Sequence, residues 1–206
     1  MPVTELALLY VKPSTTGIIS PTLTSTLLKA QKLQSSFSAH SVFFFSQLDD
    51  PSYIYLFGGW KSPEQHYNEW IPSSTNQGLM KGIQDEMDVD WMYHIDVRPD
   101  VVRDVIGTSG LGVAVAWVSV KDGLQGRFME KWEVLQRKVE GRVCGGWRIE
   151  KGEEGTGVFV MFCGLRDSEE DRFNVGSLED FGLVKDLATD VKVKQLVSWT
   201  GEIEDM

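Results

Sequence analysis

Tyr53-Ile-Tyr-Leu-Phe-Gly-Gly-Trp-Lys-Ser-Pro-Glu64 has an echo 105 residues later in Val158-Phe-Val-Met-Phe-Cys-Gly-Leu-Arg-Asp-Ser-Glu169. Identities are few, but an apolar strand, a glycine and a helix-start signal follow in the same order. Gly78-Leu-Met-Lys-Gly-Ile83 likewise aligns with Gly182-Leu-Val-Lys-Asp-Leu187, at a shift of 104. An internal repeat of this length constrains the whole architecture.

Working outward, each half reads alike. Glu5–Lys12 and Gly112–Lys121 are apolar, β-branched runs and predict buried strands. Leu23, Leu27 and Ala30 recur at helical spacing, as do Phe128, Trp132, Leu135 and Val139. Ser41–Gln47 and Arg142–Glu150 predict second strands. Short turns, Asp49-Asp50-Pro51-Ser52 and Gly152-Glu-Glu-Gly155, lead each into a third strand and so make hairpins. Ser62-Pro63-Glu64-Gln65 is a capping box, with Asp167-Ser168-Glu169-Glu170 as its counterpart. Further helical segments are expected at Gln77–Asp85 and Phe181–Ala188, and fourth strands at Val89–Val97 and Val193–Ile203. The order βαββαβ, twice, is the split-βαβ unit of ferredoxin-like folds. The expected fold class is therefore α+β, with two tandem ferredoxin-like repeats packed face to face as an intramolecular dimeric α+β barrel. The first repeat spans 1–98, the second, diverged repeat 112–206, and a Pro- and Gly-punctuated linker 99–111 joins them.

Composition excludes several function classes. A net charge of −10 with no Lys/Arg run argues against a nucleic-acid partner, which needs a clustered basic surface. No apolar run approaches membrane-spanning length, and no leader pattern opens the chain, so the expectation is a cytoplasmic protein without a membrane partner. Cys144 and Cys163 are too few for a disulfide framework and lie in apolar strand contexts, where free thiols are the default. Gly58-Gly59 is no Walker loop, no Gly-x-Ser-x-Gly elbow is present, and the acidic residues suggest no metal constellation. An enzyme here is expected to use no cofactor and no metal.

The stretch Gly59-Trp-Lys-Ser-Pro-Glu-Gln-His66, with Trp70 and Trp91-Met-Tyr-His-Ile-Asp96, resembles the antibiotic-biosynthesis-monooxygenase (ABM) type of dimeric α+β barrel, especially the tandem forms found in fungi. Only the first repeat carries the Trp-Ser-x-Glu-x-His pattern. The resemblance implies an apolar pocket between the concave face of the sheet and the helices. It also implies one of several activities: cofactor-free oxygenation of anthrones or quinols, polyketide cyclisation, use of haem, or a stress role without chemistry. Plant cyclases of this group carry a histidine where this chain has Thr75, so their mechanism does not transfer residue by residue.

His66 lies one turn into the capped helix with Trp70 at i+4, either as a general base or as a half-exposed histidine held by Trp60 or Glu69. His94 shares a strand face with Met92 and Asp96, so Asp96 could orient it as a base; the alternative is a histidine satisfied at the barrel seam. Tyr53 and Tyr55 share one face of the third strand, and Tyr55 could hydrogen-bond a substrate oxygen or simply fill the core. Trp60, Trp70 and Trp91 are candidate pocket walls. In the second half His66, His94, Tyr55 and Trp60 become Asp171, Ser198, Val160 and Leu165, so the first half should hold the larger pocket. Two functions follow. One is a cofactor-independent enzyme of secondary metabolism that cyclises, isomerises or oxygenates an aromatic or polyketide-like molecule. The other is a non-catalytic binding or stress-response protein for an apolar ligand. Haem held by His66 is a third option. The chain is expected to act as a monomeric pseudo-dimer or a homodimer.

Overall fold

In the computed structural model the chain is described over residues 1–13, 19–107, 112–139, 141–150, 157–165 and 186–199. Strand β1 (Val3–Val11) leads into helix α1 (Pro21–Ser38), then β2 (Phe43–Gln47) and β3 (Tyr53–Trp60). A π-helical turn (Gln65–Trp70), α2 (Ser74–Ile83) and β4 (Met87–Ile95) follow. After α3 (Pro99–Gly107) come β5 (Gly112–Val120), α4 (Gln125–Lys138), β6 (Val143–Trp147), β7 (Gly157–Gly164) and β8 (Ala188–Ser198).

Local chemistry sets these boundaries. The Ser20 side chain accepts the Leu23 N–H, and Pro21 occupies the first turn, where a missing N–H costs nothing. The Ser62 box also forms: Ser62 Oγ accepts the Gln65 N–H at 3.4 Å and Gln65 Oε1 accepts the Lys61 N–H at 2.9 Å. The turn it starts is wider than an α-helix, with the Ile71 N–H reaching His66 O at 3.0 Å. Such π turns recur at functional positions. This one buries both His66 and Trp70.

The eight strands among the described residues form one antiparallel sheet in the order β4-β1-β3-β2-β8-β5-β7-β6. The order within β1–β4 is the order within β5–β8. β2 meets β8 through Phe45–Ser198, Ser46–Val197 and Gln47–Leu196. The outer strands close the ring: Ile95 bridges Arg148, the Asp96 N–H donates to Trp147 O, and the Ile149 N–H donates to His94 O. The result is an α+β barrel closed within one chain.

Alternation divides each strand between two layers. Leu6, Tyr55, Phe57, Tyr93 and Ile95 face Val113, Val115, Val160, Phe162 and Leu196 across the lumen. Ala7, Leu9, Ile54 and Leu56 pack outward with Leu23 and Leu27 of α1 and Ile83 of α2, while Ala116, Val118, Phe159 and Met161 pack under Phe128, Trp132 and Leu135 of α4. Tyr53 and Tyr55 thus face away from Ile54 and Leu56, and His94 away from Tyr93, as alternation predicts.

Three expectations need correction. The stretch read as a linker contains α3, whose Val102, Val105 and Ile106 join the lumen core. Its i, i+3, i+4 spacing outweighs the Pro and Gly that bracket it. Strand β8 begins at Ala188, so the expected helix does not extend to that residue. The counterpart of His94 is also shifted. Glu5 pairs with Gly58 and His94 just as Ala114 pairs with Cys163 and Gln195, so register matches His94 to Gln195 and not to Ser198. The capping box at Asp167, the position Asp171, most of the expected helix 181–188 and the end of the fourth strand at Ile203 lie outside the described residues.

Candidate functional site

Two polar or aromatic constellations stand out, one on each side of the first-half sheet. The outer one starts at Glu5, a carboxylate buried in an otherwise apolar strand. Its Oε2 accepts Trp60 Nε1–H at 2.7 Å and Gln34 Nε2–H at 2.8 Å. Gly58 makes room for this: a Cβ there would stand 2.5 Å from Glu5 Oε2 and 2.6 Å from Gln34 Nε2. Glu5 Oε1 lies 3.7 Å from His66 Nε2, and His66 Nδ1 is 2.9 Å from His94 Nε2. His94 Nδ1 meets Glu150 Oε1 at 2.6 Å, and the His94 N–H donates to Glu150 Oε2 at 2.7 Å. Tyr67 donates its hydroxyl to Glu150 Oε1 at 2.8 Å. The His66 ring lies flat on Trp60, with centroids 4.2 Å apart and planes 8° from parallel.

Burial raises the Glu5 carboxyl to about 7, against the lowering bonds from Trp60 and Gln34 and the field of His94. Burial, together with His94, lowers His66 to about 3, so its ring is neutral and its contact with Glu5 is not an ion pair. Burial also pushes Glu150 upward, but the bonds from the His94 side chain, the His94 N–H and Tyr67 outweigh it and hold the carboxyl at about 2. An ionised Glu150 makes His94 Nδ1 a donor. Glu5, His66, His94 and Glu150 thus form one continuous, largely buried chain of polar groups.

The inner constellation is a cavity of about 610 Å³ in the barrel lumen. The first half lines it with Tyr53, Tyr55, Trp91 and Tyr93, and the second with Trp117, Val158, Arg148, Lys192 and Lys194, among others. Trp91 stacks on Tyr93 at 5.0 Å and meets Tyr55 and Trp117 edge-on at 6.0 and 6.2 Å. Tyr55 donates to Gln47 Oε1 at 3.2 Å. Trp117 Nε1–H donates to the Tyr93 hydroxyl, which leaves that hydroxyl's own proton to donate. Burial raises the Tyr55 and Tyr93 phenols, so both act as donors and not as bases. The Arg148 guanidinium lies 4.5 Å above the Tyr93 ring centroid, and its buried Nε finds no hydrogen-bond partner. An unmet buried donor costs about 1–3 kcal/mol.

The structure brings His66 and His94 together but away from the cavity. His94 points to the outer layer, as β-alternation requires once Tyr93 and Ile95 face the lumen, and meets His66 of the π turn there. His66 is buried, not half-exposed; Trp60 holds it. Asp96 is exposed, and the carboxylate on His94 is Glu150. Trp60 and Trp70 belong to a core with Val3 and Leu79 rather than to a pocket wall. Tyr53, Tyr55 and Trp91 do line the cavity. That cavity lies between the two halves of the sheet, not between sheet and helices, and both halves wall it equally. Thr75 lies in the first turn of α2. A haem iron on His66 does not fit, because one ring nitrogen is bonded to His94, the other faces Glu5 and one ring face is covered by Trp60. Among the described residues no group of three His, Cys, Asp or Glu side chains is placed to hold a metal ion. Glu5, Glu150, Tyr93 and Arg148 were missed. A lone carboxylate in an apolar strand opposite a strand glycine was the available signal for Glu5.

No family model and no curated protein matches the sequence. The fold does match solved structures. A candidate monooxygenase from Fusobacterium nucleatum superposes with a TM-score of 0.62 at 10% identity, covering 98% of this chain and 96% of the other. An anthrone oxidase-like protein gives 0.54 at 10%, covering 96% and 91%. A chlorite dismutase from Candidatus Nitrospira defluvii gives 0.60 at 9%, covering 97% and 92%. The chain therefore has the dimeric α+β barrel fold. No helix of the described residues is long and apolar enough to cross a membrane.

Proposed function

We propose that this chain is a cofactor-independent enzyme that oxygenates a flat aromatic or polyketide-like molecule held in the lumen cavity. The carrying observation is the cavity itself, whose size falls among small-molecule sites of ~300–1,000 Å³ and whose first-half wall is aromatic. The monooxygenase and anthrone oxidase names among its fold neighbours favour oxygenation over cyclisation or isomerisation. A carbon acid of the anthrone kind that loses its CH2 proton to solvent water reacts with dioxygen directly: the CH2 becomes C=O, and O2 supplies that oxygen and one water. Tyr93 and Tyr55 would donate to the substrate oxygen as it gains charge, and Trp91, Trp117 and Tyr53 would hold the ring plane. His66 and His94, first considered as bases, hold the barrel seam in this reading. A tandem ABM-type origin, with repeats 1–98 and 112–206, is supported by the 105-residue echo and by the repeated strand order.

The second reading, a binder without chemistry, draws on the absence of histidine from the cavity wall. One experiment separates them. Oxygen uptake and quinone absorbance are followed with anthrone as substrate, alongside quenching of tryptophan fluorescence. Uptake above the spontaneous rate, lost in Trp91→Ala, supports the enzyme. Quenching without uptake leaves the binder, and neither response sinks both.

A further inference from the structure

From Arg148 we infer that the molecule in the cavity is an aromatic anion, whose carboxylate-type group Arg148 receives; this rests on the cavity being the ligand site. The cavity has two unlike walls. By strand register, Trp91 and Tyr93 opposite Leu8 and Leu6 correspond to Lys192 and Lys194 opposite Trp117 and Val115. The same lumen positions are thus aromatic in one half and cationic in the other. The lysines are already engaged: Lys194 Nζ is 2.9 Å from Asp49 Oδ2, and Lys192 Nζ is 4.0 Å from Asp190 Oδ2. Arg148 is different. Among the described residues it has no ion pair and no side-chain hydrogen bond, and its Nε is buried and unmet.

Its position makes the vacancy useful. Arg148 sits where the ring of strands closes on Ile95, with its guanidinium carbon over the Tyr93 ring. A planar fork held this way suits two oxygens of a carboxylate. An aromatic body against Trp91 and Tyr55 would leave a terminal anion within the same cavity. Asp90 and Asp190 also line it and disfavour an anion near them, so the charge is directed to the Arg148 side.

The test uses the full chain and two matched probes, anthraquinone-2-carboxylate and anthraquinone-2-carboxamide, with affinity read from tryptophan quenching. Wild type should prefer the carboxylate by about tenfold or more, the scale of a charge-assisted hydrogen bond. Arg148→Met should abolish the preference while carboxamide affinity stays within about twofold. Arg148→Lys should keep part of the preference, and thermal midpoints should show all three proteins folded. Equal binding of the two probes by wild type, or a preference that survives in Arg148→Met, overturns the assignment. If wild type binds neither probe, the cavity reading fails with it; if it binds both equally, only the anion subsite fails.

Discussion

The two halves of this barrel share a strand order and almost nothing else at the positions that carry chemistry. On the outer face, Glu5, Gly58 and His94 of the first half correspond by register to Ala114, Cys163 and Gln195 of the second. One half buries a carboxylate where the other buries Ala114. In the lumen the contrast runs the other way, with aromatic rings facing lysines. A single-chain barrel frees its halves from identity, so one wall can bind a ring and the other a charge. The outer network also crosses between halves, because Glu150 closes it from the second half.

The comparison can be broken first at His94. Its replacement by Ala strips Glu150 and His66 of their partner inside the protein and should cost about 3 kcal/mol. That corresponds to a fall of roughly 10 °C in thermal midpoint. Probe binding by the folded protein should survive, since no atom of His94 lines the cavity. An intact thermal midpoint with lost binding would move the site to the histidines.

Glu5→Gln sharpens the same contrast through pH. The folded pKa of Glu5 is raised to about 7 from an ordinary 4.5, so the folded chain holds a proton that the unfolded chain has released between those values. That contribution is present below 4.5 and is lost as pH rises through 7. His66, lowered to about 3, and Glu150, lowered to about 2, act oppositely: each adds stability as pH rises toward its ordinary value. Wild-type stability should therefore climb from pH 2 to 4.5, stay nearly level to 6.5, and decline beyond. Glu5→Gln should turn the level stretch into a continued climb and remove the decline, leaving the variant about 3 kcal/mol more stable than wild type at pH 8.5 and about 1 kcal/mol more stable at pH 5.5. Denaturant midpoints at the two pH values decide this.

Gly58→Ala makes a smaller change in the same place. The added Cβ meets Glu5 and Gln34, so one must leave its bond, at a cost of about 1–3 kcal/mol in denaturant titration. Combined with Glu5→Ala the cost should shrink, because the contact with Glu5 is gone and Gln34, without its acceptor there, can turn away. In the lumen, Trp91→Ala should weaken aromatic probe binding by roughly tenfold with little change in folding, since the ring is only partly buried.

Much of the architecture was legible because it is local. Alternation in Trp91–Asp96 separated His94 from Tyr93, and the Ser62 box started a helical turn where its residues say. What was not legible depends on closure of the ring. Asp96 was the natural partner for His94 within one strand, yet Glu150, 56 residues away, takes that place only because the outermost strands meet. The lumen's owner was hidden for the same reason: His94 and Tyr93 are neighbours in sequence, and only the curvature of the sheet decides which of them sees the cavity. Helix α3 was obscured by Pro99 and Gly107, which mark its ends and not an extended connection.

The central claim is that small molecules bind in the lumen, between an aromatic and a cationic wall, and not at the histidine network. A crystal structure with anthraquinone-2-carboxylate tests it most directly. The account predicts density with the ring system against Trp91 and Trp117 and the carboxylate at Arg148. Density beside Tyr67 and His94 on the outer face, with the lumen empty, would contradict it.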